Sequence, residues 1–283
     1  MKPESEPIPF ELPSIDWWIT SRCNFACDYC YGPVPGKDPG WLRENILGAI
    51  RDSSARAVTF CGGEPLLVRD IGKYARQLMD AGKTTILNTN GSLLLRRIEQ
   101  GLDFAFDVVG LSLDGSCTEV HQAMRGVAAD FDQVLLAAAE IGARPRTRLK
   151  LATVVSRVNL ADLNRLADLV RTLRPDVWRL YQYSPRGAVN TGRHRHELPD
   201  DSFQEAASLA THVAAPVPVA ASPESMTAGC LIIEPDGTLI QPLSDGYRRL
   251  GNCLTQPIND IWARATFAET VQQNKNWLNM LPQ

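Results

Sequence analysis

The sequence lacks long apolar runs, and this absence excludes an obvious membrane-spanning segment. A transmembrane helix needs about 20 consecutive apolar residues, and no such stretch occurs in the 283-residue chain. Residues 1–13 also lack the basic stretch and the following apolar stretch of a secretory signal. They are polar and proline-rich, so we interpret them as a flexible lead-in. We therefore expect a cytoplasmic protein without a membrane partner.

A strong excess of one charge is also absent. The formal net charge is −3, which excludes a globally basic nucleic-acid-binding protein, so we expect no nucleic-acid partner. The seven cysteines are odd in number and irregularly spaced, unlike the disulfide framework of a secreted protein. The composition of 44% hydrophobic and 22% charged residues is that of an ordinary globular domain.

The sequence also lacks the paired cysteine or histidine motifs of a structural zinc site, which limits what its group of three cysteines can bind. Cys23, Cys27 and Cys30 follow a C-x3-C-x2-C spacing, but no second C-x2-C pair and no H-x3-H pair follows them. A structural zinc site needs four protein ligands, usually from two such pairs. A [4Fe–4S] cluster bound by three cysteines leaves one iron open to another ligand. The alternatives are three buried thiols or a partial zinc site.

Short apolar runs alternate with amphipathic stretches, a pattern that predicts an α/β fold. We predict strands at 15–20, 57–61, 84–89, 107–113, 148–155 and 177–183, and helices near 42–52, 69–81, 92–100, 131–142 and 160–173. Parallel strands with crossover helices form a sheet that binds ligands at the carboxyl ends of its strands. We interpret residues 14–199 as a partial (β/α)6 TIM-like barrel.

Residues 200–283 are interpreted as a small C-terminal extension. A helix is predicted at 200–213, a hairpin turn at Asp236 and Gly237, and a helical tail at 259–278 that closes one end of the barrel.

The cysteine spacing, with Tyr29 just before the last cysteine, resembles the signature of the radical S-adenosylmethionine (radical SAM) enzymes. In that family the open iron chelates SAM, and an electron from the cluster cleaves SAM to methionine and a 5′-deoxyadenosyl radical. The resemblance implies a [4Fe–4S] cluster on Cys23, Cys27 and Cys30, SAM as second cofactor, and a reductase, flavodoxin or ferredoxin as electron donor. It also implies the radical SAM type of barrel.

Motifs at the strand ends extend the resemblance to SAM binding. GGEP follows the second strand and resembles the family's GGE motif, which holds the amino group of SAM; this implies roles for Gly62, Gly63 and Glu64. NTNGS and LSLDGS follow the third and fourth strands, where small polar residues either contact SAM or cap helices and turns. The remaining SAM-binding residues that the resemblance implies are Tyr29, Asn90, Ser112, Arg125 (for the carboxylate), and Thr153, Val155 and Asn159 (around the adenine).

A basic region suggests the substrate. Residues 171–196 contain six arginines and one acid, Asp176, which suits either an anionic ligand or a solvated basic face. The stretches GGEPLL, NTNGSLL, RLKLATVVSRVN and WRLYQY resemble viperin-like radical SAM enzymes, whose substrates are nucleoside triphosphates. That resemblance implies phosphate contacts by Lys150 and Arg179.

The segment from Cys230 to Cys253 resembles, in outline, extensions that bind additional clusters. However, Pro242 and Leu243 stand where a cysteine is expected, and two thiols are too few unless Cys61 or Cys117 joins them. We therefore expect a single cluster.

The resulting hypothesis is a lyase or oxidoreductase that abstracts hydrogen from an anionic small molecule, a nucleotide. The alternatives are a maturase of ribosomally made peptides, a sugar oxidase or epimerase, and an iron–sulfur redox sensor without catalysis.

Overall fold

One sheet of ten strands runs through the computed structural model, which describes residues 12, 14–32, 36, 38–187, 190, 192–213, 219–222, 231–243 and 246–264. The strands are β1 (Ser14–Thr20), β2 (Ala57–Gly62), β3 (Thr84–Thr89), β4 (Val108–Ser112), β5 (Arg148–Val155), β6 (Val177–Gln182), β7 (Val219–Ala221), β8 (Leu231–Ile233), β9 (Thr238–Pro242) and β10 (Tyr247–Asn252). Their spatial order is β10-β9-β8-β1-β2-β3-β4-β5-β6-β7.

Neighbouring strands from β1 to β7 pair in parallel, and β8 adds to β1 in parallel at the other side. All six predicted strands are present, and the predicted α/β class is confirmed. β7 and β10 were not predicted. β7 has only three residues, and β10 contains Arg248 and Arg249 with little apolar alternation.

The helices lie between the strands as the alternating pattern predicts. They are α1 (Arg43–Arg51), α2 (Ile71–Asp80), α3 (Leu94–Glu99), α4 (Thr118–Arg125), α5 (Phe131–Gly142), α6 (Leu163–Leu173), α7 (Asp200–Val213) and α8 (Ile258–Arg264). The prediction missed α4, because its buried residues are His121, Met124 and Arg125, which give no apolar period. α8 covers the start of the predicted helical tail, and the rest of that prediction lies outside the described residues.

Side-chain alternation along the strands separates an outer core from an inner face. Ile15, Trp17 and Ile19 of β1 belong to the main core between sheet and helices, whereas the alternate residues of β1 face inward. At the amino ends of the strands, Ala57, Ile86 and Val108 form a small buried apolar cluster, which we call the floor of the barrel. Above the floor the interior contains charged and polar side chains, including Asp16, Asn88, Lys150 and Arg179, beside apolar ones.

The predicted extension contributes to the same sheet. β7 pairs with β6, β8 pairs with β1, and β8 and β9 form the predicted hairpin, with the Gly237 N–H donating to the Glu234 carbonyl at 2.9 Å. The division of the chain at residue 199 stays a prediction. Within the described residues, the helices are all too short or too polar to span a bilayer.

The contact of α2 with the loop before β4 provides a test of the fold. A Cβ atom added at Gly72 would lie 2.3 Å from the Asp103 carbonyl oxygen, whereas one added at Gly48 in α1 would meet nothing within 4 Å. We expect Gly72→Ala to lower the free energy of unfolding by about 1–3 kcal/mol because the backbone has to move. Gly48→Ala should leave it unchanged or raise it by up to about 1 kcal/mol. Urea denaturation measures both, and equal losses would contradict the packing.

Candidate functional site

A cavity of about 640 Å³ opens at the carboxyl ends of β1 to β6. Every one of these strands contributes inward-facing residues to its wall. The strand residues that line it are Ser14, Asp16, Trp18, Thr59, Cys61, Gly62, Asn88, Thr89, Gly110, Ser112, Lys150, Ala152, Val154, Arg179, Tyr181 and Gln182. Ligands bind at this end of parallel α/β sheets.

The cysteine loop, residues 21–32, covers part of the cavity. Cys23, Cys27 and Cys30 all line it. Burial raises the pKa of Cys27 to about 12, so this thiol is protonated at neutral pH, and iron binding to the sulfur would release the proton to solvent. No three His, Cys, Asp or Glu side chains in the described part of the chain are placed to hold one metal ion. In a cluster each cysteine binds a different iron, so the three sulfurs need not converge on one point.

The backbone of the GGEP motif holds this loop against β2. The N–H of Gly63 donates to the Thr20 carbonyl and that of Glu64 to the Arg22 carbonyl, both at 2.8 Å. A Cβ at Gly63 would lie 2.0 Å from the Arg22 oxygen, so this contact requires glycine. Gly62 and Gly63 also line the cavity, and the backbone around them is therefore available to a ligand.

Glu64 is buried at the edge of the site. Its carboxylate accepts hydrogen bonds from the Leu66 N–H at 3.0 Å, the Thr89 hydroxyl at 2.7 Å and the Asn90 N–H at 2.9 Å. Burial raises the pKa of Glu64, and the three hydrogen bonds partly offset this. Glu64 is not among the residues that line the cavity, so in this structure it joins the ends of β2 and β3.

Asn90 and Ser112 lie where the sequence predicts them, at the ends of β3 and β4 facing the cavity. The Asn90 amide donates to Asn24 Oδ1 at 2.9 Å, and its oxygen accepts from the Ser92 hydroxyl at 2.6 Å. Asn90 therefore also links the cysteine loop to β3.

Arg125, Tyr29 and Asp114 form a buried hydrogen-bonded group beside the cysteines. The Tyr29 hydroxyl donates to Asp114 Oδ2 at 2.6 Å, and Arg125 Nη1 donates to the same oxygen at 2.7 Å. Arg125 lines the cavity, and its Nε has no hydrogen-bond partner among the described residues. An anionic group such as the carboxylate of SAM fits a cation held in this way.

Sequence reasoning missed Asp114, the centre of this group. Its second oxygen accepts from the Val154 N–H at 2.8 Å, and its carbonyl accepts from the Asn159 amide at 2.9 Å. The sequence does contain a signal for it, because LSLDGS places an acid directly after an apolar strand. The sequence analysis selects only Ser112 from this motif.

The three residues predicted around the adenine do not line the cavity. Thr153 donates to the Leu113 carbonyl at 2.6 Å and accepts from the Trp178 indole at 3.0 Å. Val155 is in the main core, and Asn159 is bonded to the backbone of Asp114 and Val154. Because side chains alternate along β5, the inward positions are those of Lys150, Ala152 and Val154 instead.

Lys150 and Arg179, the predicted substrate residues, are both buried and line the cavity. Of the other arginines in 171–196, Arg186 and Arg193 also line it. Arg171 instead pairs with Asp168 on the exposed side of α6, at 2.8 Å. The basic region therefore divides between arginines that line the cavity and arginines that face solvent.

Asn190, Arg195 and His196 contact the cysteine loop, and the sequence did not predict these contacts. The Asn190 amide donates to the Tyr29 carbonyl at 2.9 Å, and the buried His196 contacts Asp28 at 2.8 Å. Asp28 also pairs with Arg195 at 2.8 Å.

The other three cysteines of the described chain lie in three different parts of the fold. Cys253 is in the main core, Cys61 lines the barrel and Cys117 precedes α4. Cys230 lies outside the described residues.

Next to Asp114, the fully buried His121 gives the fold a pH dependence. Burial lowers its pKa from 6.5 to about 4, so the folded protein keeps it neutral. Its stabilising effect is complete above pH 6.5, and about 3 kcal/mol is lost by pH 4 because the unfolded chain binds the proton first. In His121→Asn, the amide oxygen can still accept from the Asp114 N–H. Between pH 6.5 and pH 4, the free energy of unfolding of this variant, measured by acid unfolding, should fall by about 3 kcal/mol less than that of wild type. The exposed His194→Asn is the control, and equal losses in both variants would contradict the assignment.

Known proteins resemble this chain in sequence and in fold. The chain is 24% identical over 275 residues to an S-adenosylmethionine-dependent nucleotide dehydratase of Selenomonas ruminantium, covering 91% of this chain and 96% of that protein. It is 28% identical over 179 residues to an AdoMet-dependent heme synthase of Methanosarcina barkeri, covering 61% of this chain and 51% of that protein.

Among solved structures, Streptococcus suis SuiB bound to S-adenosylmethionine superposes with a TM-score of 0.67 at 15% identity, covering 93% of this chain and 68% of that one. The structure of anSMEcpe with bound AdoMet superposes with a TM-score of 0.66 at 18% identity, covering 88% of this chain and 80% of that one. These likenesses confirm the predicted partial barrel.

The Radical SAM superfamily matches residues 18–170, which is more than half of the chain. The predicted enzyme class and both predicted cofactors are thereby confirmed, while the roles of individual residues stay predictions. The chain belongs to the radical SAM superfamily, whose enzymes use a [4Fe–4S] cluster and S-adenosylmethionine.

Proposed function

We propose that this enzyme carries one cluster, on Cys23, Cys27 and Cys30, and acts on a nucleotide by a radical dehydration. The similarity to the nucleotide dehydratase supports this, because it extends over 91% of this chain and 96% of that protein. The similarity to the heme synthase covers about half of that protein.

The charge of the cavity is the observation that carries the proposal. Asp114 is bonded to Arg125, and Asp28 to Arg195 and His196. The other charged residues that line the cavity are Asp16, Lys150, Arg179, Arg186 and Arg193. Among the described residues that line the cavity, five side chains are basic and three are acidic, and Lys150 is only 2% and Arg179 8% exposed. Buried cations favour an anionic ligand, and a phosphate chain offers several charges to such a group.

Each part of the site has a distinct role in this proposal. When bound, the cluster and SAM supply the radical that removes a hydrogen atom from the substrate. Arg125 binds the SAM carboxylate, and Asn90, Ser112 and the backbone of Gly62 and Gly63 contact the rest of SAM. The buried walls of the barrel exclude water from the reacting atoms.

The three cysteines provide a direct test of the cluster site. We expect Cys23→Ala, Cys27→Ala and Cys30→Ala each to lose most of the bound iron after anaerobic reconstitution, and with it the release of 5′-deoxyadenosine from SAM. Cys117→Ser is the control, because this thiol precedes α4 and serine is a favourable residue at a helix start. Iron content equal to that of the control would contradict the assignment.

The substrate proposal is tested with the reconstituted enzyme, SAM, a strong reductant and a panel of nucleoside triphosphates, sugar nucleotides and peptides. We expect one nucleotide to stimulate 5′-deoxyadenosine release. Arg179→Met and Lys150→Met should each raise the KM for that nucleotide about 10- to 100-fold, because each removes a charged phosphate contact.

Arg171→Met, which removes an exposed arginine of α6, is the matched control and should keep the wild-type KM. Stimulation by a peptide or an uncharged sugar, with no nucleotide active, would contradict the nucleotide proposal and favour a maturase or a sugar-modifying enzyme.

A further inference from the structure

Three interior positions form a row across the middle of the barrel. Asn88 of β3 is the register partner of Gly110 of β4, which is the partner of Lys150 of β5. All three line the cavity. We call Asn88, Gly110 and Lys150 the inner row. Asn88 and Gly110 have no part in the cluster and SAM contacts described above.

The inner row lies between the floor and the residues predicted to contact SAM. Ile86 and Val108, two positions earlier on β3 and β4, belong to the floor. Asn90 and Ser112, two positions later, are at the strand ends. Two residues of a strand span about 7 Å, so the inner row is one step deeper than the SAM contacts.

The missing side chain of Gly110 lets its two neighbours meet. A Cβ atom at this position would lie 2.4 Å from Asn88 Oδ1 and 2.6 Å from Lys150 Cε. Both side chains therefore lean over the bare backbone of β4 from the two adjacent strands. Any larger residue would push them apart.

Asn88 offers an acceptor at this point. Its Oδ1 is buried and has no hydrogen-bond partner within the described residues. Buried acceptors are nearly always satisfied in proteins, by protein, water or ligand. The Lys150 ammonium, 3.3 Å from the same added Cβ, can donate to an anionic oxygen. The row therefore fits a ligand that presents a hydroxyl close to a phosphate.

We propose that the inner row is a specificity site for the hydroxylated part of a phosphorylated substrate. A phosphate oxygen contacts Lys150, and a sugar hydroxyl donates a hydrogen bond to Asn88 Oδ1 over Gly110. The proposal rests on the nucleotide function above and adds a requirement for a free ribose hydroxyl.

Calorimetric titration of the anaerobically reconstituted protein, before any SAM is added, tests this. CTP, UTP, GTP and ATP are titrated first, and the tightest ligand is then compared with its 2′-deoxy and 3′-deoxy forms. We expect one deoxy form to bind wild type roughly tenfold more weakly, the loss of one hydrogen bond to a buried acceptor. In Asn88→Val, which removes the acceptor, the ribose and deoxy forms should bind equally.

Gly110→Ala should weaken binding of the ribose form by at least roughly tenfold, because Asn88 and Lys150 are displaced. Gly48→Ala is its matched control and should bind as wild type does, and iron content shows whether each variant has folded. Equal binding of ribose and deoxy forms by wild type, or a difference that persists in Asn88→Val, would overturn the specificity site while leaving the nucleotide function intact. If wild type binds none of the four nucleotides, the proposed function itself fails and this inference with it.

Discussion

The buried carboxylate of Asp114 is the interaction on which the geometry of the site depends. One oxygen accepts from Tyr29, which lies between Cys27 and Cys30, and from Arg125, which faces the cavity. The other accepts from the backbone of β5. A charged group is stable at this depth only when its hydrogen bonds are complete. Because they come from three separate elements, the cysteine loop, α4 and β5 are fixed relative to one another.

Close backbone contacts complete the support of the cysteine loop. Gly63 brings the end of β2 against the start of the loop, and Asn190 and His196, which follow β6, contact its end. Arg186 and Arg193, from the same part of the chain, line the cavity. The elements that hold Cys23, Cys27 and Cys30 and those that bring positive charge to the cavity are thus packed together.

Most of the fold could be predicted from the sequence because parallel strands buried on both faces leave apolar runs of recognisable length. β3, β5 and α5 begin and end where the pattern places them. α4 could not be found in this way, because its inner face consists largely of His121 and Arg125. Both residues are buried in contact with Asp114. This contact depends on the tertiary structure, so no local sequence pattern indicates it.

The site was predictable where a motif is local and less so where it depends on strand faces. The three cysteines, Asn90, Lys150 and Arg179 all line the cavity as expected. Thr153 and Val155 do not, and simple alternation already indicates why: once Lys150 points inward, positions 153 and 155 point outward. The contacts of Asp28 with His196 and Arg195 join residues far apart in the chain, and no local pattern could reveal them.

The apolar floor of Ala57, Ile86 and Val108 gives the barrel a blind end. Ligands that bind one above the other in such a cavity share a single route in and out. A nucleotide on the inner row would lie beneath SAM, so it would have to arrive before SAM and depart after it. The order of binding in each catalytic cycle would then be set by the depth of the two sites rather than by their affinities.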